Sequence, residues 1–176
     1  MLLSIQQKDI LQLLRELGCL HERQILAFLR SKYPSGKREL SLVAVQTMLR
    51  QLRHLRGDIC LKDGLVFLHG QKVSSLHLEA VDVALELTGG VPEHPRRGAA
   101  PVLLHFSLVG ERIRLFTVAQ MTGPSSIQAV QRVPMEHIIW ISESGQIPEG
   151  LTLPAKHFFA ARTKDGPHRF YGSQEL

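Results

Sequence analysis

The 176-residue sequence predicts an α+β protein in two parts: three helices closed by a β-hairpin, then a ββαββ arrangement. Three observations carry this expectation. Apolar residues recur at three- and four-residue spacing through residue 55. Asp63-Gly64 separates two short apolar runs. After residue 101 the pattern changes to longer runs rich in Val, Leu, Ile and Phe, broken by glycine.

The elements follow in order. Ser4-Ile5-Gln6-Gln7 fits a capping box, with Ser at the cap and Gln three residues later. Ile10, Leu13, Leu14 and Leu17 make the first helical stripe, and Gly18 suits the left-handed residue that ends it. A second helix starts near His21, with Ile25, Phe28 and Leu29 inward, and Pro34-Ser35-Gly36 breaks it. Ser41 is an N-cap for the third helix, in which Leu42, Val45, Leu49 and Leu52 form the apolar face, flanked by Met48 and Leu55. Its opposite face carries Val43, Thr47, Arg50 and His54, with Gln51 at the edge. Ile59–Lys62 and Leu65–Leu68 then flank Asp63-Gly64, a strong hairpin signal because both central residues of a type I′ turn need positive φ. Two helices, a basic helix and a hairpin are the order of a winged helix-turn-helix, and residues 1–72 suffice for it.

Residues 73–100 read as a linking helix and an exposed loop. From Ser75, Leu76, Ala80, Val83, Ala84 and Leu87 keep helical spacing up to Gly89-Gly90, with Glu79, Asp82 and Glu86 outward. This helix either joins the two halves or pairs with a second copy in a homodimer. Pro92, Pro95, Arg96, Arg97 and Gly98 mark the loop. Residues 101–176 form a small α/β domain. Strands 102–109 and 112–119 turn at Gly110-Glu111, and a short helix runs from Gly123 to about Val133. Ile138–Ile141 is a strand buried on both faces, and 157–161 and 168–171 supply two more.

Charge separates the halves. Residues 1–75 hold 12 Lys+Arg against 6 Asp+Glu, and residues 76–176 hold 9 against 10, so the net +5 belongs to the first half. That asymmetry points to a polyanion partner, double-stranded DNA, for the helix-hairpin half; a solvated basic surface without a partner is the alternative. In a major groove Arg50 can donate two hydrogen bonds to guanine and the Thr47 methyl can meet a thymine methyl. Lys37, Arg38, Arg53, Arg56, Lys62 and Lys72 are placed for phosphates. Val43, Gln51 and His54 complete the expected DNA-facing set. The bland reading is that these residues are the wet side of an amphipathic helix.

Other classes find little support in the sequence. Two cysteines, Cys19 and Cys60, are too few for a disulfide framework and lack metal-ligand spacing. Nine histidines are scattered, without a His-Glu-x-x-His motif or a Gly-rich phosphate loop. His105 reads as an ordinary strand residue. No cofactor or metal is expected. No apolar run approaches the roughly 20 residues of a membrane span, and no secretory signal is seen, so a cytoplasmic protein is expected.

The segment Gly18-Cys19-Leu20-His21-Glu22-Arg23-Gln24-Ile25 and the helix Met48-Leu49-Arg50-Gln51-Leu52 before a hairpin resemble the replication-relaxation family of bacterial plasmid and mobile-element proteins. The resemblance implies a winged helix followed by a restriction-endonuclease-like domain, and a role in regulation or replication of a mobile element. In nuclease relatives it also implies an acidic residue near Pro101-Val102, and a carboxylate with a nearby Lys on the next strand. This chain reads Pro101-Val102-Leu103 and Leu115-Phe116-Thr117-Val118-Ala119, without a carboxylate in either. Without paired carboxylates nothing there holds a divalent ion to activate water, and a non-catalytic DNA-binding protein is expected. The alternatives are a protein-interaction adaptor that docks through the winged helix, and a divergent nuclease using Glu111 or Glu136.

Overall fold

The computed structural model describes residues 2–34, 39–90, 92–130, 133 and 136–172. The protein is mixed α+β with two separate sheets. It divides into two compact units, 1–78 and 79–176. No helix among the described residues is long and apolar enough to cross a membrane.

The first unit runs α1 (Ile5–Leu17), β1 (Cys19–His21), α2 (Glu22–Lys32), α3 (Leu42–Arg56), β2 (Ile59–Lys62) and β3 (Leu65–Leu68). The expected capping box is present: Gln7 N donates to Ser4 Oγ at 3.1 Å and Ser4 N to Gln7 Oε1 at 2.9 Å. Gly18 ends α1 at φ 82° and its N–H reaches Leu14 O. Cys19–His21, which sequence reasoning leaves as a plain connection, is instead a third strand. It pairs antiparallel with β3, giving the order β1-β3-β2. The hairpin forms at Asp63-Gly64 in the expected register, with Lys62 opposite Leu65. The core joins Ile10, Leu14 and Leu17 of α1, Ile25 and Leu29 of α2, Val45, Leu49 and Leu52 of α3, and Val66 of β3, all fully buried.

Helix α4 (Ser75–Thr88) crosses the division between the units. Its apolar residues Leu76, Leu78, Ala80, Val81, Val83 and Ala84 are buried within this single chain.

The second unit carries a six-stranded sheet of β4 (Glu93–Arg97), β5 (Val102–Val109), β6 (Ile113–Gln120), β7 (Glu136–Ile141), β8 (His157–Ala161) and β9 (Arg169–Gly172), ordered as numbered. β4, β5 and β6 form an antiparallel meander. β7 and β8 run parallel to β6, and β9 returns antiparallel. Between β6 and β7 lies one helical turn, α5 (Ser126–Ala129), much shorter than the helix expected to reach Val133. Glu93–Arg97 was expected in an exposed loop, yet it is the edge strand of this sheet; the edge tolerates Pro95, which has no N–H to give a second neighbour. One sheet face packs Ala119, Ile138, Trp140 and Phe159 against Met121, Val130, Leu151 and Leu153. On the other, the rings of Phe106, Phe116, His137 and Phe158 stack in sequence at 5.0 to 6.1 Å between centroids.

Glu79, expected on the outer side of α4, is buried. Arg162 Nε donates to Glu79 Oε1 at 2.8 Å and Nη2 donates to Oε2, so the guanidinium grips the carboxylate with two bonds. His168 adds contacts to Glu79 at 3.3 Å and to Glu86 at 2.9 Å. A carboxylate can be buried here because cations from the far end of the sheet meet it.

Candidate nucleic-acid interface

Helix α3 presents its polar side for local reasons. Ser41 Oγ accepts from Ala44 N at 3.2 Å and satisfies one of the free donors of the first turn. Gly57 closes the other end in the left-handed conformation, φ 64°, with its N–H on Arg53 O. Arg53, His54 and Arg56 lie in the last turn, where positive charge complements the exposed carbonyls. With Val45, Leu49 and Leu52 buried, the helix has one rotational setting. Val43, Thr47, Arg50, Gln51, Arg53, His54 and Arg56 are consequently all exposed. Leu42 departs from expectation: it is 39% exposed, because the apolar face begins only at Val45.

The expected residues are not equally free. Arg50 and Arg53 make no ion pair with any described residue, and Lys62 stands exposed where β2 enters the turn. Arg56 is engaged: its Nε and Nη2 donate to the two carboxylate oxygens of Asp58 at 3.0 and 2.9 Å. That hydrogen-bonded pairing pulls the Asp58 carboxyl below its ordinary range and raises Arg56 further. Gln51 is likewise engaged, its Oε1 accepting from Gln7 Nε2 at 3.1 Å, so it ties α3 to α1 and is withdrawn from free base reading. Thr47 donates its hydroxyl to Val43 O at 2.9 Å, which leaves its methyl group as the feature to present. Lys37 and Arg38 lie outside the described residues.

The surface that remains is compact in sequence and chemistry. Arg50, Arg53 and His54 line one exposed side of α3, and Lys62 follows at the hairpin. Such a row offers charge-assisted donors to phosphate oxygens and a guanidinium fork to a base edge. Apolar contact comes from Val43, 69% exposed.

The carboxylates considered for a divergent nuclease sit in different surroundings. Glu111 is exposed in the loop between β5 and β6. Glu136 is buried at the start of β7, where Oε1 accepts from Thr117 Oγ1 and Oε2 from Val133 N at 3.0 Å. Among the described residues no three His, Cys, Asp or Glu side chains are grouped to hold a metal ion. The chain matches no protein-family model, no curated protein and no solved structure.

Proposed function

We propose that the protein binds double-stranded DNA through its first unit, read as a winged helix with α3 in the major groove and the β2–β3 hairpin as the wing. The observation that carries this reading is the exposure of Arg50 and Arg53 without ion-pair partners among the described residues, with Lys62 also exposed on the hairpin. Around it, the order α1-β1-α2-α3-β2-β3 with a three-stranded sheet supports the winged-helix reading. Arg50 and Thr47 read base edges; Arg53, Lys62 and Lys72 meet phosphates; Arg56 contributes less because Asp58 holds it. The second unit is a nuclease-like scaffold without a catalytic step, and the whole protein acts in regulation or replication of a mobile element. Titration of duplex DNA at two salt concentrations, on wild type and on a variant with Arg50 and Arg53 reversed in charge, tests this function.

A second reading has its own observation. Leu42, Val43 and Leu55 are exposed on α3, at 39%, 69% and 41%, and apolar side chains beside basic ones also suit docking of an acidic protein segment. Loss of DNA binding altogether, with capture of a protein through the same residues, would favour this adaptor role.

A further inference from the structure

The second unit contains a cavity of about 530 Å³ over β4, β5 and β6, within the range of small-molecule sites. Four of the large apolar side chains left exposed in the protein gather at it: Val109, Ile113, Leu115 and Val133, each between 43% and 69% exposed. Such clustering is unlike the scattered single exposures of an ordinary surface. At the polar end of the same cavity lie His105 and Arg96, which face each other across the β4–β5 ladder.

His105 is held by a relay of three side chains. Its Nδ1 lies 2.8 Å from Thr117 Oγ1, and Thr117 Oγ1 donates to Glu136 Oε1. A hydroxyl has one proton to give. Since Thr117 gives it to the carboxylate, it can only accept from His105, so the imidazole carries its proton on Nδ1. The other ring nitrogen, Nε2, is left with its lone pair and makes no hydrogen bond to a described residue. Thr117 and Glu136 are both buried behind the half-buried His105, and their hydrogen bonds fix its tautomer. A carboxylate acting through a bridging group to orient a histidine is an arrangement that positions the free nitrogen for a ligand.

We propose that this cavity binds a small monocarboxylic acid with an apolar body, its carboxylate held between the Arg96 guanidinium and the His105 ring and its body against Val109, Ile113, Leu115 and Val133. Binding moves one proton: the ligand arrives as a carboxylate, His105 Nε2 takes a proton from solvent, and the ion pair forms. An N–H bond forms at His105 Nε2 as an O–H bond of a solvent hydronium ion breaks, and no other bond changes.

The charges around His105 set the direction of the pH dependence. Burial first, then Arg96 on β4, push its pKa below the ordinary histidine value, and Glu136 on β7 opposes them. His94 on β4 is the remaining titratable group lining the cavity. The empty site is therefore neutral at His105 near pH 7, and binding a carboxylate takes up a proton. Affinity then falls as pH rises, by up to about tenfold per unit.

The test uses the full chain and octanoate as the probe, followed by two-dimensional NMR, with 1-octanol and inorganic phosphate as comparisons. Saturable octanoate binding is expected, with shifts confined to the cavity residues, an upward move in the His105 titration, and weaker binding at pH 8 than at pH 6. Octanol and phosphate should each bind at least tenfold more weakly, since one lacks the charge and the other the apolar body. Arg96→Gln, at an exposed position, should weaken octanoate by tenfold or more. The proposal is overturned if octanoate fails to saturate, if octanol or phosphate binds as well, or if the Arg96 variant binds octanoate like wild type.

Discussion

Asp63 and Gly64 both take positive φ, 51° and 76°, at the turn that joins β2 to β3. Only glycine does so without penalty, and aspartate is among the few other residues that tolerate it. A Cβ built on Gly64 would meet nothing within 4 Å, so space is not the constraint there. Gly64→Val should therefore cost roughly 1–3 kcal/mol through backbone strain alone, and Gly64→Asn much less. Denaturant unfolding followed by far-UV circular dichroism checks both. Equal stability of the valine and asparagine variants would contradict the turn geometry.

The histidine between Glu79 and Glu86 predicts a pH dependence. Burial disfavours the charged form of His168, but hydrogen bonds and charge from Glu79 and Glu86 outweigh it and hold its pKa above the ordinary value. A group whose folded pKa is raised contributes stability fully below its unfolded pKa, about 6.5, and loses it as pH rises through the folded value. His105 is shifted the other way, so its effect falls below about pH 6.5. The second unit should consequently lose stability from about pH 6.5 upward. Trp140, fully buried and the only tryptophan, reports its unfolding by fluorescence. His168→Gln should flatten the slope in this window; an unchanged slope would remove His168 from the account.

Glu136 is committed to Thr117 and Val133 N–H, and Glu111 is exposed in its loop. The purified protein should leave duplex DNA intact with Mg²⁺ or Mn²⁺ present. Nicking that follows the protein through purification and disappears in Glu136→Gln would restore the nuclease alternative.

If the first unit binds DNA as proposed, Asp58 competes with it for Arg56, because the pairing occupies the Nε–Nη2 edge of the guanidinium. Asp58→Asn keeps the side-chain shape and removes the competing charge. Its affinity for duplex should rise and its salt dependence steepen by close to one counterion. Unchanged affinity would place Arg56 away from the DNA.

Local signals made the first unit readable. The Ser4 and Ser41 caps, Gly18 and Asp63-Gly64 each act within a few residues, and the elements they delimit formed where the sequence put them. β1 was hidden because three residues, Cys19–His21, are too few to show a period. In the second unit the strands were visible but the register was not. With Gly110-Glu111 as a two-residue turn, Val109 would face Arg112. The loop instead holds three residues, Val109 faces Ile113, and His105 comes opposite Thr117. A one-residue slip exchanges the faces of a strand, and the relay at Glu136 depends on that slip. Burial of Glu79 was equally illegible, since its partners Arg162 and His168 lie more than 80 residues away in sequence.

Under the proposed function, Arg50 and Arg53 meet DNA. Neither belongs to the buried stripe of α3, so Arg50→Glu with Arg53→Glu should leave the circular dichroism spectrum and thermal midpoint close to wild type. Fluorescence anisotropy of a labelled random duplex, titrated with the full chain at about 50 and 200 mM salt, is the most direct measurement. The phosphate contacts of Arg53, Lys62 and Lys72 release enough counterions for wild-type affinity to fall about 40-fold across that interval, and the double reversal should abolish binding at both concentrations. Salt-independent binding, no binding by wild type at the lower salt, or a double variant that binds as wild type does would contradict the account.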